Sequence, residues 1–145
     1  MKAVIQRVTK AKVTVDGKIT GEIGKGFLVL LGVVEGDTVE EMKLLAKKTA
    51  GIRIFTDEND KMNRSVLDVS GEMLIVSQFT LCGDCKKGTR PSFDKSASPE
   101  IANELYEKFC QKIECNNIPV EKGVFGADMQ IEQNNDGPVT ILLES

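Results

Sequence analysis

The run Phe27-Leu28-Val29-Leu30-Leu31-Gly32-Val33 constrains the fold more than any other segment of the chain. It contains no polar side chain, so neither of the two alternating faces of a strand here is suited to water. Such runs are typical of strands that are covered on both sides of a sheet. We therefore expect this segment to form a strand that is buried on both faces.

Further strands are predicted before and after this run by alternating or continuous apolar residues. Residues 3–15 are rich in Val and Ile, and Asp16-Gly17 is a signal for a hairpin turn into the next strand. The predicted strands cover approximately residues 3–15, 18–23, 27–33, 52–55, 72–81, 128–134 and 138–144.

Two helices are predicted between these strands. The first begins at Asp37, where Glu40 completes a capping box, and it ends at Gly51. The second begins at Ser98, with Pro99 in its first position. Their predicted buried faces are Val39, Met42, Leu45, Ala46 and Thr49, and then Ile101, Leu105, Phe109 and Ile113. This order of elements predicts an α/β domain in which helices cover sheets.

Composition and charge narrow the classes of function. The chain has 145 residues, 41% of them apolar, and a formal net charge of −3, so it has the size of one domain and is not a globally basic nucleic-acid binder. No segment approaches the ~20 apolar residues that cross a bilayer, and the charged N-terminus lacks the apolar core of a signal peptide. We therefore expect a cytoplasmic protein with no membrane partner, whose four cysteines are reduced thiols.

The chain contains no histidine. This rules out Ser-His-Asp and Cys-His catalytic machinery, and it removes the usual imidazole ligands of zinc. It also removes the commonest general base near neutral pH. An enzyme built from this chain must therefore use something other than imidazole.

A first candidate site is the polar segment Ser77-Gln78-Phe79-Thr80-Leu81, which follows a strongly apolar strand. If the strand continues through this segment, Ser77 and Phe79 share one face and the residue after each of them shares the other. Hydroxyls, an amide and free backbone N–H groups at a strand end could stabilise an oxyanion. By pattern alone, polar residues that merely end a strand are the commoner interpretation, since a Ser or Thr without a base is a poor nucleophile.

A second candidate is Asn135-Asp136-Gly137-Pro138. By pattern it is an ordinary hairpin turn between the two C-terminal strands. Pro138 cannot donate a hydrogen bond to a ladder, so it belongs at a strand start or a bulge. Only about 5–6% of X–Pro bonds are cis, so a functional cis bond is the less common alternative.

A third candidate is the polar loop of residues 82–95. Between residues 84 and 95 it carries four basic residues and two acidic ones, namely Lys86, Lys87, Arg90 and Lys95 with Asp84 and Asp94. Such a loop could hold RNA phosphates, and it could equally be an ordinary solvated loop.

The same loop contains a C-x-x-C pair, Cys82 and Cys85. Gly88 and Pro91 follow, so no helix begins there to lower a thiol pKa as in redox proteins. A zinc site would need two more ligands, and the remaining thiols, Cys110 and Cys115, do not converge on one helix face. Redox and zinc functions are therefore disfavoured.

The chain as a whole resembles the D-aminoacyl-tRNA deacylases, the editing enzymes that free tRNA from D-amino acids. The segments that carry this resemblance are Met1–Val8, Arg53–Phe55 through Lys61–Asn63, Ser77–Leu81, Lys87-Gly88, Arg90–Phe93, Phe125–Met129 and Asn135–Thr140. Two departures leave the signatures intact: Asp60 stands where relatives usually have Gly, and Gln133-Asn134 is more polar than the usual apolar pair. The implied fold is α/β, a single domain of residues 1–145 with mixed, mainly antiparallel β-sheets covered by two helices in three layers.

The resemblance implies an enzyme that hydrolyses the ester of D-aminoacyl-tRNA without a cofactor or a metal. The Gly137–Pro138 bond would be cis, and the carbonyls of both residues would hold the α-amino group of the substrate. An L side chain would clash with these carbonyls, so L-aminoacyl-tRNA would be rejected. Glycine has no side chain to clash, so mischarged glycyl-tRNA would be accepted.

The resemblance also implies a homodimer with active sites at the subunit interface, because each Gly-Pro loop reaches into the partner's pocket. Arg7 matches the position that braces this loop. The segment Ser77–Thr80 would line the pocket, with the Phe79 N–H facing the scissile carbonyl or its oxyanion. The 2′-hydroxyl of the terminal adenosine, rather than Thr80, would assist attack on the ester. The candidate tRNA contacts are Lys86, Lys87 and Arg90.

Two other classes of function remain as alternatives. One is a non-catalytic nucleic-acid-binding module that uses the loop of residues 82–95. The other is a thiol oxidoreductase that uses Cys82 and Cys85.

Overall fold

Eight strands and two α-helices make up the fold in the computed structural model, which describes residues 1–145. The strands are β1 (Lys2–Val15), β2 (Lys18–Ile23), β3 (Gly26–Gly32), β4 (Phe55–Thr56), β5 (Met62–Arg64), β6 (Glu72–Ser77), β7 (Val120–Lys122) and β8 (Gln130–Glu144). The helices are α1 (Val39–Gly51) and α2 (Pro99–Glu114), and a 3-10 turn covers Phe79–Cys82.

The long strand β1 organises the main sheet. One of its edges pairs antiparallel with β8 along almost its whole length. Its other edge pairs antiparallel first with β3, over Lys2–Val8, and then with β2, over Ala11–Val15. β3 continues the sheet through parallel pairs with β6 and then β7, and β4 and β5 form a separate small hairpin. The fold is therefore α/β with mixed, mainly antiparallel pairing, as predicted.

Strand β3 is buried on both faces, which confirms the expectation from its apolar run. Phe27, Val29 and Leu31 point into a cluster of 22 buried residues that includes the inner faces of α1 and α2. Leu28, from the opposite face, belongs to a second cluster of seven buried residues contributed by β1, β2, β3 and β6. The helices cover one face of β3 and β6, and β2 with the second half of β1 covers the other face. The molecule therefore has three layers.

The N-terminus of α1 lies one residue later than predicted. Thr38, not Asp37, is the N-cap, and Glu41 completes the capping box. The carboxylate of Asp37 is engaged elsewhere, because it accepts hydrogen bonds from the N-terminal ammonium of Met1 and the N–H of Val34, each at 2.6 Å. The predicted buried stripe of α1 is otherwise correct, with Val39 only half-buried.

Helix α2 begins at the predicted cap, Ser98, with Pro99 in its first turn. Its buried face is rotated slightly from the prediction: Ile101 is 50% exposed, and Tyr106 joins the core. The first turn packs through Ala102 instead, which lies four residues before Tyr106 on the same face.

Three other predictions were wrong in detail. The predicted strand 52–55 is shifted to β4, and the predicted strand 72–81 stops at Ser77 because the chain turns into the 3-10 segment. The two C-terminal strands are one interrupted strand, β8. β7 was missed, because three residues are too few for a periodic signal. No helix in the structure is long and apolar enough to span a membrane.

Candidate active site

Strand β6 delivers the Ser77 segment to one end of the main sheet. Its last hydrogen bond runs from the N–H of Gln78 to the carbonyl of Leu31 on β3, at 2.7 Å. The chain then coils into the turn Phe79–Cys82, so the predicted alternation of faces beyond Ser77 is wrong. The coil instead brings the Gln78 amide onto the Thr80 hydroxyl, to which it donates a hydrogen bond.

Ser77, Gln78 and Phe79 line a cavity of about 530 Å³ between the end of β6, the first turns of α2 and the segment 125–129. Thr80 is exposed and is not among the lining residues. Most of the lining is apolar, and Asp128 is its only charged side chain. A mainly apolar hollow with a few polar groups at one wall is a typical small-molecule site.

The turn Phe79–Cys82 begins at the wall of this cavity. The N–H groups of Phe79 and Thr80 have no partner within the turn, because they belong to its first two residues. Gln78 provides no side-chain cap for them. The Phe79 ring is 59% exposed and packs against Phe93 of the polar loop, with ring centroids 5.1 Å apart. The arrangement therefore offers backbone donors beside an apolar hollow, as an oxyanion site requires.

Tyr106 anchors the floor of the cavity, and sequence reasoning missed it. Its hydroxyl donates a hydrogen bond of 2.8 Å to the carbonyl of Ile75, two residues before Ser77. Burial raises the pKa of this phenol, so it remains a neutral donor. Two features of the sequence could have identified it: Tyr106 is the only tyrosine of the chain, and it lies four residues after Ala102, on the same face of the predicted helix.

Gly137 and Pro138 lie on a loop within β8 and not in a hairpin turn. On β1, Gln6 pairs with Thr140 and Val8 pairs with Asn135, so residues 136–139 bulge out opposite a single residue, Arg7. β8 then continues in its original direction, which corrects the predicted turn between two strands. The Gly137–Pro138 peptide bond is cis, and both residues are exposed.

Arg7 holds this loop from below. Its side chain is buried, and its Nε donates to the Asp136 carbonyl at 3.1 Å and lies 3.3 Å from the carboxylate of Asp136. Its Nη1 donates to the Ile54 carbonyl at 2.6 Å. On the other side of the loop, the Asn135 side chain accepts a hydrogen bond of 3.0 Å from the N–H of Val139. The loop is therefore fixed at both ends.

One chain does not bring the two candidate segments together. Arg7 pairs with Phe27, which pairs with Met73, whereas Ser77 lies further along β6. The four-residue offset amounts to roughly 13 Å at ~3.3 Å per residue, and the three strand spacings from β8 to β6 add roughly 14 Å sideways. The Gly137–Pro138 loop and the Ser77 cavity therefore stand about 19 Å apart.

The polar loop of residues 82–95 makes a few hydrogen bonds and one ion pair within itself. Asp84 and Ser92 exchange backbone hydrogen bonds of 2.8 and 2.9 Å, and Lys95 lies 3.4 Å from the Asp84 carboxylate. The N–H of Lys86 holds the pKa of that carboxyl below its ordinary value. The basic side chains left without an ion pair, all exposed, are Lys86, Lys87 and Arg90.

The C-x-x-C thiols face different environments. Cys82 is buried and directs its Sγ at the Val33 carbonyl, 3.4 Å away, whereas Cys85 is exposed. All four cysteines are free, and no group of three or more His, Cys, Asp or Glu side chains is placed to hold a metal ion.

Comparisons with known proteins identify relatives along the whole chain. A family model described as D-Tyr-tRNA(Tyr) deacylase matches residues 4–144. Proteins named D-aminoacyl-tRNA deacylase from Fervidobacterium nodosum and Thermosipho africanus are 57% and 59% identical over 145 residues, which cover 100% of this chain and 97% of each relative.

Two solved structures share the fold. One, titled c-Myc DNA Unwinding Element Binding Protein, superposes with a TM-score of 0.94 at 44% identity, covering 100% of this chain and 99% of that one. The other, described as a probable eukaryotic D-amino acid tRNA deacylase, has a TM-score of 0.83 at 18% identity and covers 99% and 98%. The match of the family model and the identity to the bacterial relatives establish that the chain belongs to the D-Tyr-tRNA(Tyr) deacylase family.

Proposed function

We propose that this protein hydrolyses the ester bond between a D-amino acid and tRNA in the cytoplasm, at an active site that two copies of the chain build together. The observation that carries the proposal is the separation of the two candidate segments. Each segment is well held, but roughly 19 Å within one chain is too far for both to touch one aminoacyl group. A homodimer that sets the Gly137–Pro138 loop of one subunit against the Ser77 cavity of the other removes this gap.

The Ser77 cavity is suited to position the ester. Its apolar volume can receive the amino-acid side chain, and the Phe79 N–H at its wall is suited to the developing oxyanion of the scissile carbonyl. Ser77 and Gln78 supply the polar side chains at that wall, and Thr80 stands next to them outside the cavity. None of them has a histidine to activate it, because the chain has none.

The Gly137–Pro138 loop is suited to select the substrate. Its residues are exposed and project from the sheet, so their carbonyls can accept hydrogen bonds from the substrate's α-ammonium group. With the ammonium held there, an L side chain would run into the same backbone, whereas a D side chain would point to the cavity. Glycyl-tRNA would pass, since glycine has nothing to exclude. Arg7 makes this exclusion effective by fixing the loop.

The 2′-hydroxyl of the terminal adenosine would supply the assistance that the protein lacks. An aminoacyl ester is already activated, so holding it against this hydroxyl and an oxyanion donor accounts for catalysis by positioning. Thr80, with its hydroxyl accepting from the Gln78 amide, is assigned a role in shaping the turn and not that of a nucleophile.

The exposed cations of the polar loop are assigned to tRNA. Lys86, Lys87 and Arg90 follow directly after the turn that forms the cavity wall. Phosphates next to a bound 3′ end would therefore lie within their reach.

The deciding assay compares three substrates with purified protein: D-Tyr-tRNA, L-Tyr-tRNA and Gly-tRNA. We expect release of D-tyrosine and glycine, and retention of the L ester. Equal release of both tyrosine enantiomers would contradict the selection mechanism, and no release at all would contradict the activity. For the shared site, mixing a Ser77-cavity variant with a Gly137–Pro138 variant, each chosen to be inactive alone, should restore about a quarter of the wild-type activity, as random pairing of subunits requires.

A second candidate function is non-catalytic binding of nucleic acid. It is favoured by one observation: the structural relative at 44% identity is titled as a DNA unwinding element binding protein. This alternative predicts salt-sensitive binding of DNA or RNA by the loop of residues 82–95 with no ester hydrolysis. Binding that survives while all deacylation is absent would support it over the enzyme.

A further inference from the structure

A second cavity, lined mainly by basic side chains, lies on the helix side of the molecule, apart from the Ser77 cavity. It has a volume of about 640 Å³ and lies between the C-terminal turns of α1 and α2 and the segment 65–68. Its charged lining residues are Lys43, Lys47, Arg53, Lys112 and Asp68. Four cations and one anion around one hollow contrast with the net charge of −3 of the whole chain.

Most of these cations have no partner within the chain. Lys43 pairs with Glu40 at 2.9 Å. Lys47, Arg53 and Lys112 take part in no ion pair. The single acidic residue, Asp68, is already engaged by the N–H and hydroxyl of Ser65, at 2.7 and 2.9 Å. The cavity therefore presents unpaired positive charge.

The two helix ends reduce this charge without cancelling it. Each helix C-terminus carries roughly half a negative elementary charge, and lysines in the last turn commonly interact with this charge. Together with Asp68 the two ends offset about two of the four cations, and Glu40 pairs with Lys43, which leaves an excess of about one. Part of the helix-end charge is also satisfied locally, because the Asn116 amide donates to the Lys112 carbonyl at 2.8 Å.

The position of the basic cavity connects it to the selection loop. Arg53 immediately precedes Ile54, whose carbonyl accepts the 2.6 Å hydrogen bond from Arg7. Arg7 in turn holds Asp136, next to Gly137. The cavity thus opens at the end of the subunit that carries Gly137–Pro138, away from its own Ser77 cavity.

From this we propose that the basic cavity binds phosphodiester groups of the tRNA near its 3′ end. The inference rests on the proposed function. In the proposed dimer, the ester of the substrate sits in the Ser77 cavity of one subunit and against the Gly137–Pro138 loop of the other. The tRNA backbone that leaves this site passes the second subunit on the side of its basic cavity. The basic cavity can therefore bind phosphates that the polar loop of the first subunit does not reach.

The test uses the triple variant Lys47→Gln, Arg53→Gln and Lys112→Gln in the full chain. Its matched control removes three exposed cations outside the cavity, Lys18→Gln, Lys48→Gln and Lys61→Gln; Lys48 shares the last turn of α1. A double variant, Lys47→Gln with Lys112→Gln, keeps Arg53 and so tests the cavity without an indirect effect on Ile54 and Arg7. Thermal unfolding checks that all variants are folded.

For D-Tyr-tRNA, we expect the triple variant to raise KM about tenfold with little change in kcat, since exposed charge pairs each contribute a factor of a few. The plot of log KM against log salt should become shallower by about two, at ~0.7 per lost single-strand contact. D-tyrosyl adenosine, which has no phosphate, should be cleaved equally by wild type, control and variant. A KM and salt slope for D-Tyr-tRNA equal to those of the control would overturn the proposal.

Two further outcomes separate the possible errors. If inorganic phosphate inhibits the wild type but not the triple variant at constant ionic strength, while their KM values for D-Tyr-tRNA agree, the cavity is a small-anion site and the proposal is wrong. If the wild type cleaves neither D-Tyr-tRNA nor D-tyrosyl adenosine, the proposed function fails instead. Direct binding of uncharged tRNA then still tests the cavity, because loss of affinity in the triple variant alone would support it.

Discussion

The Nε of Arg7 contacts Asp136 at two different groups: it donates to the main-chain carbonyl at 3.1 Å and lies 3.3 Å from the carboxylate. With Nη1 on the Ile54 carbonyl, one buried guanidinium thus joins the selection loop to the segment before β4. Arginine can do this because its donors form a rigid fork, whereas a lysine presents one rotating ammonium.

Arg7→Lys should therefore keep the fold but loosen selection. We expect the ratio of D- to L-tyrosine release to fall about tenfold, equivalent to ~1.4 kcal/mol of discrimination. Arg7→Ala should in addition lower the free energy of unfolding by about 3–6 kcal/mol, since each of its two hydrogen bonds involves a charged group and contributes ~1.5–3 kcal/mol. Urea unfolding and the paired deacylation assay measure the two effects. Lys10→Ala, exposed on the same strand, should change neither.

Gly137→Ala tests the shape of the selection loop itself. Gly137 has φ of +132°, and an added Cβ would lie 2.7 Å from Cγ2 of Val139 and 3.2 Å from Nη2 of Arg7. The loop must shift to accept it, so L-Tyr-tRNA should become a substrate while D-Tyr-tRNA cleavage slows. Gly36→Ala is the matched control: its φ is also positive, at +86°, but nothing lies within 4 Å of the new Cβ. A loss of selectivity in both variants would point to general destabilisation.

Tyr106→Phe should affect turnover more than binding. The change removes the hydrogen bond to the Ile75 carbonyl and leaves the ring in place. That carbonyl also accepts from the N–H of Gly123 at 3.2 Å, so the cost in stability should be only about 1 kcal/mol. Because Ile75 lies two residues before Ser77, we expect kcat for D-Tyr-tRNA to fall severalfold with KM nearly constant. An equal loss in an exposed helix variant such as Asn103→Ala would argue against a positioning role.

The sequence predicted the parts of the fold that depend on local patterning. β3 could be recognised as buried on both faces because an unbroken apolar run has few alternatives, and Ser98-Pro99 marks a helix start by stereochemistry alone. The cap of α1 was misplaced by one residue, because Asp37 and Thr38 are both good caps. Only the tertiary contact of Asp37 with the N-terminal ammonium decides between them.

The candidate site was predicted by its residues but not by its geometry. Family resemblance pointed to Ser77–Thr80 and Gly137–Pro138, while local patterning suggested a continuing strand and a hairpin. The structure has a 3-10 turn and a bulged loop instead. The bulge depends on long-range pairing with Arg7, which no local pattern reports. The basic cavity was missed for the same reason, since its four cations come from α1, α2 and the segment between them.

The cysteines should divide into reactive and protected thiols. Cys85 and Cys115 are exposed, whereas Cys82 and Cys110 are buried. Burial also raises the pKa of Cys110 to about 12, so at pH 8 only about one thiol in ten thousand is ionised. We expect iodoacetamide to modify Cys85 and Cys115 in the folded protein and all four thiols in urea, as mass spectrometry can show. Rapid modification of Cys110 without denaturant would contradict the packing of α2 on the sheet.

The capping box of α1 should make part of the stability pH-dependent. Hydrogen bonds from the Thr38 hydroxyl and N–H lower the pKa of Glu41 below its ordinary value. The unfolded chain therefore binds a proton at Glu41 before the folded chain does. This contribution is complete above the ordinary pKa of a glutamate, ~4.3, and is lost as the pH falls through the lowered value. Glu41→Gln should lower the urea midpoint at pH 7 and converge with the wild type once the pH has fallen below the lowered pKa of Glu41. The neighbouring exchange Glu40→Gln removes a carboxylate outside the box, so it should leave the slope of the midpoint with pH intact; an equal flattening by Glu40→Gln would show that total charge, and not the cap, sets the dependence.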